Sequence, residues 1–263
     1  MNAASFVLAL HHTPARRAFA PMAVGIPALR RILTAISRRG YRFVGLDAFG
    51  DSGLPKRTAT VTVDDGYASN MRHLRPLLRE LGIPWTVFIS VRTLGGQNRW
   101  DLNWVGHRER HMSEDELRTL TAEGVGVGSH GMEHEDLTKA SPSALAESLA
   151  ASRAALAAIA GRPVDAISYP WGRVDERVAS AARSAGYRLG FALHDPGHLP
   201  PSLAGMAIPR TCVYSPDQIL GLFASTAPWA PRPFRALRGA LSRTGRVLVE
   251  TALAARRLAG VRP

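Results

Sequence analysis

The 263-residue chain, 46% hydrophobic and 21% charged, can bury one large core, so one main domain of α/β-barrel size is expected. Its formal net charge of +12 gathers late, with eight arginines against Glu250 in residues 231–263; that stretch is almost free of aromatics from Leu237 onward, which excludes nucleic acid as the expected partner. A single cysteine, Cys212, excludes an internal disulfide and fits a reducing compartment, hence a cytoplasmic location, and no apolar run is expected to reach the roughly 18 residues that span a bilayer.

The opening MNAASFVLAL lacks a charged n-region and a cleavage signal and reads as a first strand, about residues 5–11, running into His11 and His12. A second strand, about 59–64, ends in Asp64, Asp65 and Gly66. A helix starts near Tyr67 and stops at Gly82-Ile83-Pro84, and a third strand at 84–90 leads into a long loop at 91–112. Ser113-Glu114-Asp115-Glu116 is a capping box, followed by a strand at 125–129 that ends at His130. Ser141-Pro142 opens an Ala/Leu-rich helix that stops at Gly161. Further strands are expected at 165–169, 187–193 and 206–210, seven in all.

Strands alternating with helices predict a parallel sheet with helices outside it, closed or nearly closed into a barrel. The expected domain is 1–227. From Pro228 three prolines break the pattern, and 228–263 is expected as a basic, helical tail. Its apolar residues Leu241, Val247, Leu248, Leu253 and Leu258 suit either a helix packed on the barrel or one lying on a membrane surface.

In parallel α/β folds the loops at the carboxyl ends of strands build the active site. Asp64 and Asp65 stand at such an end, where two adjacent carboxylates ionise together only if a cation joins them or one keeps a proton. Capping the next helix would need one aspartate. His130 and His134, in SHGMEH at the end of another strand, can converge on one cation. Imidazole with carboxylate suits zinc and similar divalent ions, and three protein ligands leave one position open.

TVDDG (62–66), SHGMEH (129–134) and SYPWG (168–172) together resemble three signature motifs of the polysaccharide deacetylases, carbohydrate esterase family 4. The resemblance covers about residues 5–222 and implies a distorted (β/α)7 barrel that removes acetyl groups from sugars with a divalent metal. It implies Asp65, His130 and His134 as metal ligands, Zn2+ as the ion, Asp64 as the base acting on a cation-activated water, and substrate contacts from Tyr169, Pro170, Trp171 and Gly172. Trp100, Asp101 and Trp104 either touch the sugar or pin the 91–112 loop to the barrel.

The late Leu-x-His strand of the family is not evident after residue 172. FVLALHHTP (6–14) is a comparable strand at the beginning, as in the circularly permuted branch, and offers His11 as general acid. His12 competes with it, because neighbouring residues on a strand face opposite sides. His194 and His198 are further rivals. The arginine that orients the base in many members is missing before SYPWG, and Arg210 is a candidate replacement. The expected substrate is an acetylated glycan or amino sugar. An alternative is a lipid-linked amino sugar, deacetylated or deformylated at the inner membrane surface and reached through residues 231–263. A catalytically silent glycan-binding barrel is the alternative of another class; the retention of Asp64, Asp65, His130 and His134 argues against it.

Overall fold

A computed structural model describes residues 5–15, 22–50, 53–98, 100, 109–193 and 203–213. The tail 228–263, Asp101, Trp104, His194 and His198 lie outside them.

The described strands are β1 (Phe6–Leu10), β2 (Arg42–Phe43), β3 (Thr58–Val63), β4 (Trp85–Ile89), β5 (Gly126–Ser129), β6 (Ala166–Ser168), β7 (Leu189–Ala192), β8 (Ile208–Pro209) and β9 (Thr211–Cys212). They form one sheet in the order β8-β7-β6-β5-β4-β3-β1-β9, with β2 beside β3. All of these pairings are parallel. β8 and β9 are two halves of one stave, broken at Arg210: the first half pairs with β7 and the second with β1. The sheet therefore comes round nearly to itself as a barrel of the expected kind. The pair β8/β9 replaces the single expected strand at 206–210, and the short β2 was not anticipated.

Strand alternation explains both faces. Phe6, Leu8 and Leu10 of β1, Ala59, Val61 and Val63 of β3, and Trp85, Val87 and Ile89 of β4 belong to the main apolar cluster, which fills the space under the helices. The intervening residues point into the barrel. Val7, Phe88, Ala166 and Phe191, from four different strands, form the small interior cluster. At Gly128 a Cβ would come within 2.3 Å of the Phe88 ring, so only glycine lets that ring lie across β5.

The helices are α1 (Ile26–Arg38), α2 (Arg75–Glu80), α3 (Glu114–Ala122), α4 (Pro142–Ala160) and α5 (Glu176–Ser184). α3 has its capping box, with Glu116 N donating to Ser113 Oγ at 3.2 Å and Ser113 N to Glu116 Oε2 at 2.8 Å. α4 starts after Ser141 and ends at Gly161 with φ +66°, the left-handed stop that glycine allows. By length and composition α4 is apolar enough to cross a membrane, contrary to the expectation from the sequence. Its Leu145, Leu149 and Leu156 are buried in the main core. Before α2 the chain makes a π-helical turn, Asn70–Leu74.

Candidate active site and metal centre

Parity separates the two aspartates. Thr58, Thr60 and Thr62 alternate with the outward-packed residues of β3, so Asp64 continues the inward series. Asp65 leaves the strand with φ +65° and Gly66 follows with φ +57°. A Cβ on Gly66 would meet the Ile89 side chain at 2.3 Å. The turn aims the two carboxylates differently, and both are buried, at 1% and 3% exposure.

Asp64 is gripped by Arg210. Nη1 donates to Oδ1 and Nη2 to Oδ2, each at 2.7 Å. Arg210 also donates to Thr62 Oγ1 at 3.2 Å and Ser168 Oγ at 2.7 Å, while Ser168 Oγ donates to Asp64 Oδ2 at 3.1 Å. The guanidinium carbon lies 5.7 Å and 6.0 Å from the Phe88 and Phe191 ring centroids, so the fork rests on the interior aromatics. Burial pushes the Asp64 carboxyl up, but Arg210, His130 and the Arg210 hydrogen bonds more than reverse this and hold it well below the usual carboxylate range.

The structure distinguishes the two histidines after β1. His11 continues the inward series of Val7 and Ala9, and its Nε2 is 3.8 Å from Asp64 Oδ2. His12 turns the other way, with Nε2 3.4 Å from Glu109 Oε2. Burial lowers the His11 pKa to about 4, against the upward pull of Asp64 and with the help of Arg210 and His130.

Asp65, His130 and His134 offer one ligand atom each, all within 4.8 Å of one another. Both Nε2 atoms face Asp65 Oδ1, at 3.5 Å from His130 and 3.4 Å from His134. His130 Nδ1 donates to the Ser168 carbonyl at 2.6 Å, which fixes the tautomer and leaves the Nε2 lone pair toward the carboxylate. Burial lowers the pKa of His130, against the pull of Asp64 and the Ser168 bond, and lowers that of His134 further with its neighbour His130. Two neutral imidazoles and a carboxylate, buried and convergent, fit a divalent cation with room for a further ligand.

The SYPWG segment divides. Trp171, half-buried with φ +60°, sets its ring edge-on to His134 at 4.8 Å. Pro170 and Gly172 are buried beside it. Tyr169 is fully buried in the main apolar cluster and does not wall a groove, because strand parity sends it outward under the helices while Ser168 points in. Trp100 lies flat against the His134 ring, centroids 4.3 Å apart and planes 4° apart, and so covers one face of a candidate ligand. Three contributors were not singled out from the sequence: Ser168, which touches Asp64 and Arg210 and receives His130; Thr62; and His111, whose Nδ1 donates to the Asp65 carbonyl at 2.7 Å. Ser168 lay inside a recognised motif. His111 had no local signal.

The polysaccharide deacetylase family model matches residues 51–190, more than half of the chain. The chain belongs to the polysaccharide deacetylase family. YxkH of Bacillus subtilis (strain 168), whose name assigns it provisionally to the polysaccharide deacetylases, is 25% identical over 142 residues, 54% of this chain and 46% of YxkH. The chain thus spans about half of that relative. In fold, this family member is similar to the Streptococcus pyogenes deacetylase PplD in complex with acetate, with a TM-score of 0.67 and 18% identity over 84% of this chain and 98% of PplD. It is also similar to IcaB from Ammonifex degensii, with a TM-score of 0.66 and 23% identity over 82% of this chain and 94% of IcaB. The His/Asp cluster accords with the general metal dependence of the polysaccharide deacetylases.

Proposed function

We propose that this polysaccharide deacetylase-family member is a metal-dependent hydrolase that removes an N-acetyl group from an amino sugar of a glycan, with Asp65, His130 and His134 holding the metal. The observation that carries the reading is the adjacency of two sets: three convergent ligand atoms within 4.8 Å of one another, and a buried Asp64 clamped by Arg210 beside His11. A bound divalent ion, Zn2+ by its donor set, would polarise the acyl carbonyl and acidify a water.

The chain's own groups supply the proton path. Asp64, ionised and fixed by Arg210, takes the proton of the attacking water as the new C–O bond forms. His11, with Nε2 3.8 Å from Asp64 Oδ2, is placed to carry the proton to the leaving nitrogen, so the C–N bond breaks to acetate and a free amine. Arg210 and Ser168 orient the base throughout, and Trp171 offers a half-buried ring beside the metal ligands for a sugar face.

Acetate release from a panel of N-acetylated oligosaccharides by Zn2+-loaded protein tests the reading. Wild type releases acetate; Asp64→Asn keeps the metal and loses turnover by about 10²–10⁴-fold; Asp65→Ala loses the metal. Equal metal loss in both variants would overturn this division of roles. The concentration of arginine in 231–263 favours a second reading, in which the acyl group sits on a lipid-linked amino sugar at the inner surface of a membrane, reached from the cytoplasm. Lipid-linked donors in the same panel, with vesicle binding by the full chain, separate the two.

A further inference from the structure

The loop after β4 returns to the barrel rim as a narrow antiparallel strip. Asn98 N donates to Glu109 O at 2.9 Å, His111 N to Gly96 O at 2.8 Å, and Gly95 N to Met112 O at 2.9 Å. The strip is joined to the turn that carries the aspartates: Met112 N donates to Gly66 O, and Ala68 N to Arg110 O, both at 2.8 Å. His111 stands between these two attachments with 1% exposure. Its Nδ1 meets the main-chain carbonyl of Asp65 at 2.7 Å. A carbonyl can only accept, so Nδ1 carries the proton.

Two aromatic rings pack against His111: Tyr67 stacks on it at 4.9 Å and 21°, and Trp100 lies tilted against it at 5.0 Å and 31°. Trp100 in turn lies flat on His134. The two candidate ligands reached in this way, Asp65 and His134, have φ values of +65° and +59°. Non-glycine residues rarely occupy this region, and they persist there only when the surroundings over-determine them. One histidine is tied to both, by a hydrogen bond to one and through one aromatic layer to the other.

We propose that His111 is a positioning residue for the metal centre, holding the Asp65 carboxylate and the His134 imidazole at the separation that a divalent cation requires. The inference rests on the metal-site reading given above. His111 contributes no ligand and touches no substrate. It sets how well formed the site is before the ion arrives, so its loss acts on metal affinity and ligand geometry. Outer partners of metal ligands are commonly worth about 10–100-fold in affinity.

The test uses the full-length chain stripped of metal, with Zn2+ affinity measured by competition against a chromophoric chelator and ligand geometry read from the visible absorption of the Co2+-loaded protein. His111→Phe keeps a stacking ring and deletes the donor; His111→Asn keeps a donor near Nδ1 and deletes the ring. His111→Phe is expected to weaken Zn2+ by about 10–100-fold and alter the Co2+ bands, and His111→Asn to recover part of the loss. Wild-type affinity and an unchanged Co2+ spectrum in both variants would overturn the proposal. Should His111→Phe fail to fold, Trp100→Leu decides: a weakened Zn2+ site supports the aromatic layer, and wild-type affinity with an unaltered spectrum overturns it. Wild type and Asp65→Ala binding Zn2+ equally would overturn the metal-site reading itself, an outcome distinguishable from the failure of His111 alone.

Discussion

Two arginine–carboxylate forks in this molecule share a geometry and differ in surroundings. Arg30 grips Glu80 through both Nη atoms at 2.6 Å, and Arg210 grips Asp64 the same way at 2.7 Å. The first pair is 43% and 59% exposed and the second 0% and 1%. On the surface, water solvates either partner when the other leaves, so the fork adds little. In the barrel nothing replaces the lost partner, and each charge depends on the other. Bidentate contact alone therefore says nothing about importance. Burial, and the number of further groups committed to the pair, decide it.

The sharpest way to break this contrast is Arg210→Met. It leaves the buried Asp64 carboxylate with the Ser168 hydroxyl but without its cationic partner, and a loss of about 3–5 kcal/mol in urea unfolding is expected, with turnover abolished. A loss no larger than that of a surface variant would mean that water reaches Asp64. Next in size is the response to acid of the metal-free protein. His11 is neutral when folded, with a pKa lowered to about 4, and His130 and His134 are lowered as well, whereas in the unfolded chain they titrate near the ordinary histidine value. The unfolded state therefore takes up more protons as pH falls below about 6.5. The stability present above that pH is lost on the way down toward 4, by roughly 3 kcal/mol from His11. Urea midpoints from pH 7.5 to 4.5 should fall, and His11→Gln should flatten the slope.

Ser168→Ala removes a hydroxyl that donates to one member of the buried fork and accepts from the other, and about 1.5–3 kcal/mol is expected by the same measurement. Asp64 remains clamped, so metal affinity should stay while turnover falls. Smallest of all is Arg30→Ala, for which the unfolding midpoint should not move. A measurable shift there would show that the surface fork belongs to a wider network.

Much of the barrel was legible because each strand is a short apolar run between readable turns. β2, of two residues, is too short to carry a period. The break at Arg210 was hidden because a strand that changes partner midway has the same sequence pattern as one that does not. α1 has Pro27 in its first turn as a start signal but no side-chain cap at Gly25. α5 does carry one, since Asp175 accepts from Val178 N at 2.8 Å. At the site, Asp64, Asp65, His130 and His134 were readable from their place at strand ends. The choice between His11 and His12 was not, because β1 is buried on both faces and its run lacks the alternation that would reveal which parity points inward. Tyr169 fell to the same parity: a motif aromatic expected to contact the substrate is a core residue. His111 could not be read because its link to Asp65 runs through a main-chain carbonyl, which leaves no mark on residue type.

The break between β8 and β9 has a consequence for how such a site can be inherited. The stave that closes the barrel and the cation that holds the base are the same few residues, Ile208 to Cys212. A recombination or truncation point placed before them removes wall and clamp together, and one placed after them keeps both. Rearrangements of this chain must therefore carry that stave as a single cassette.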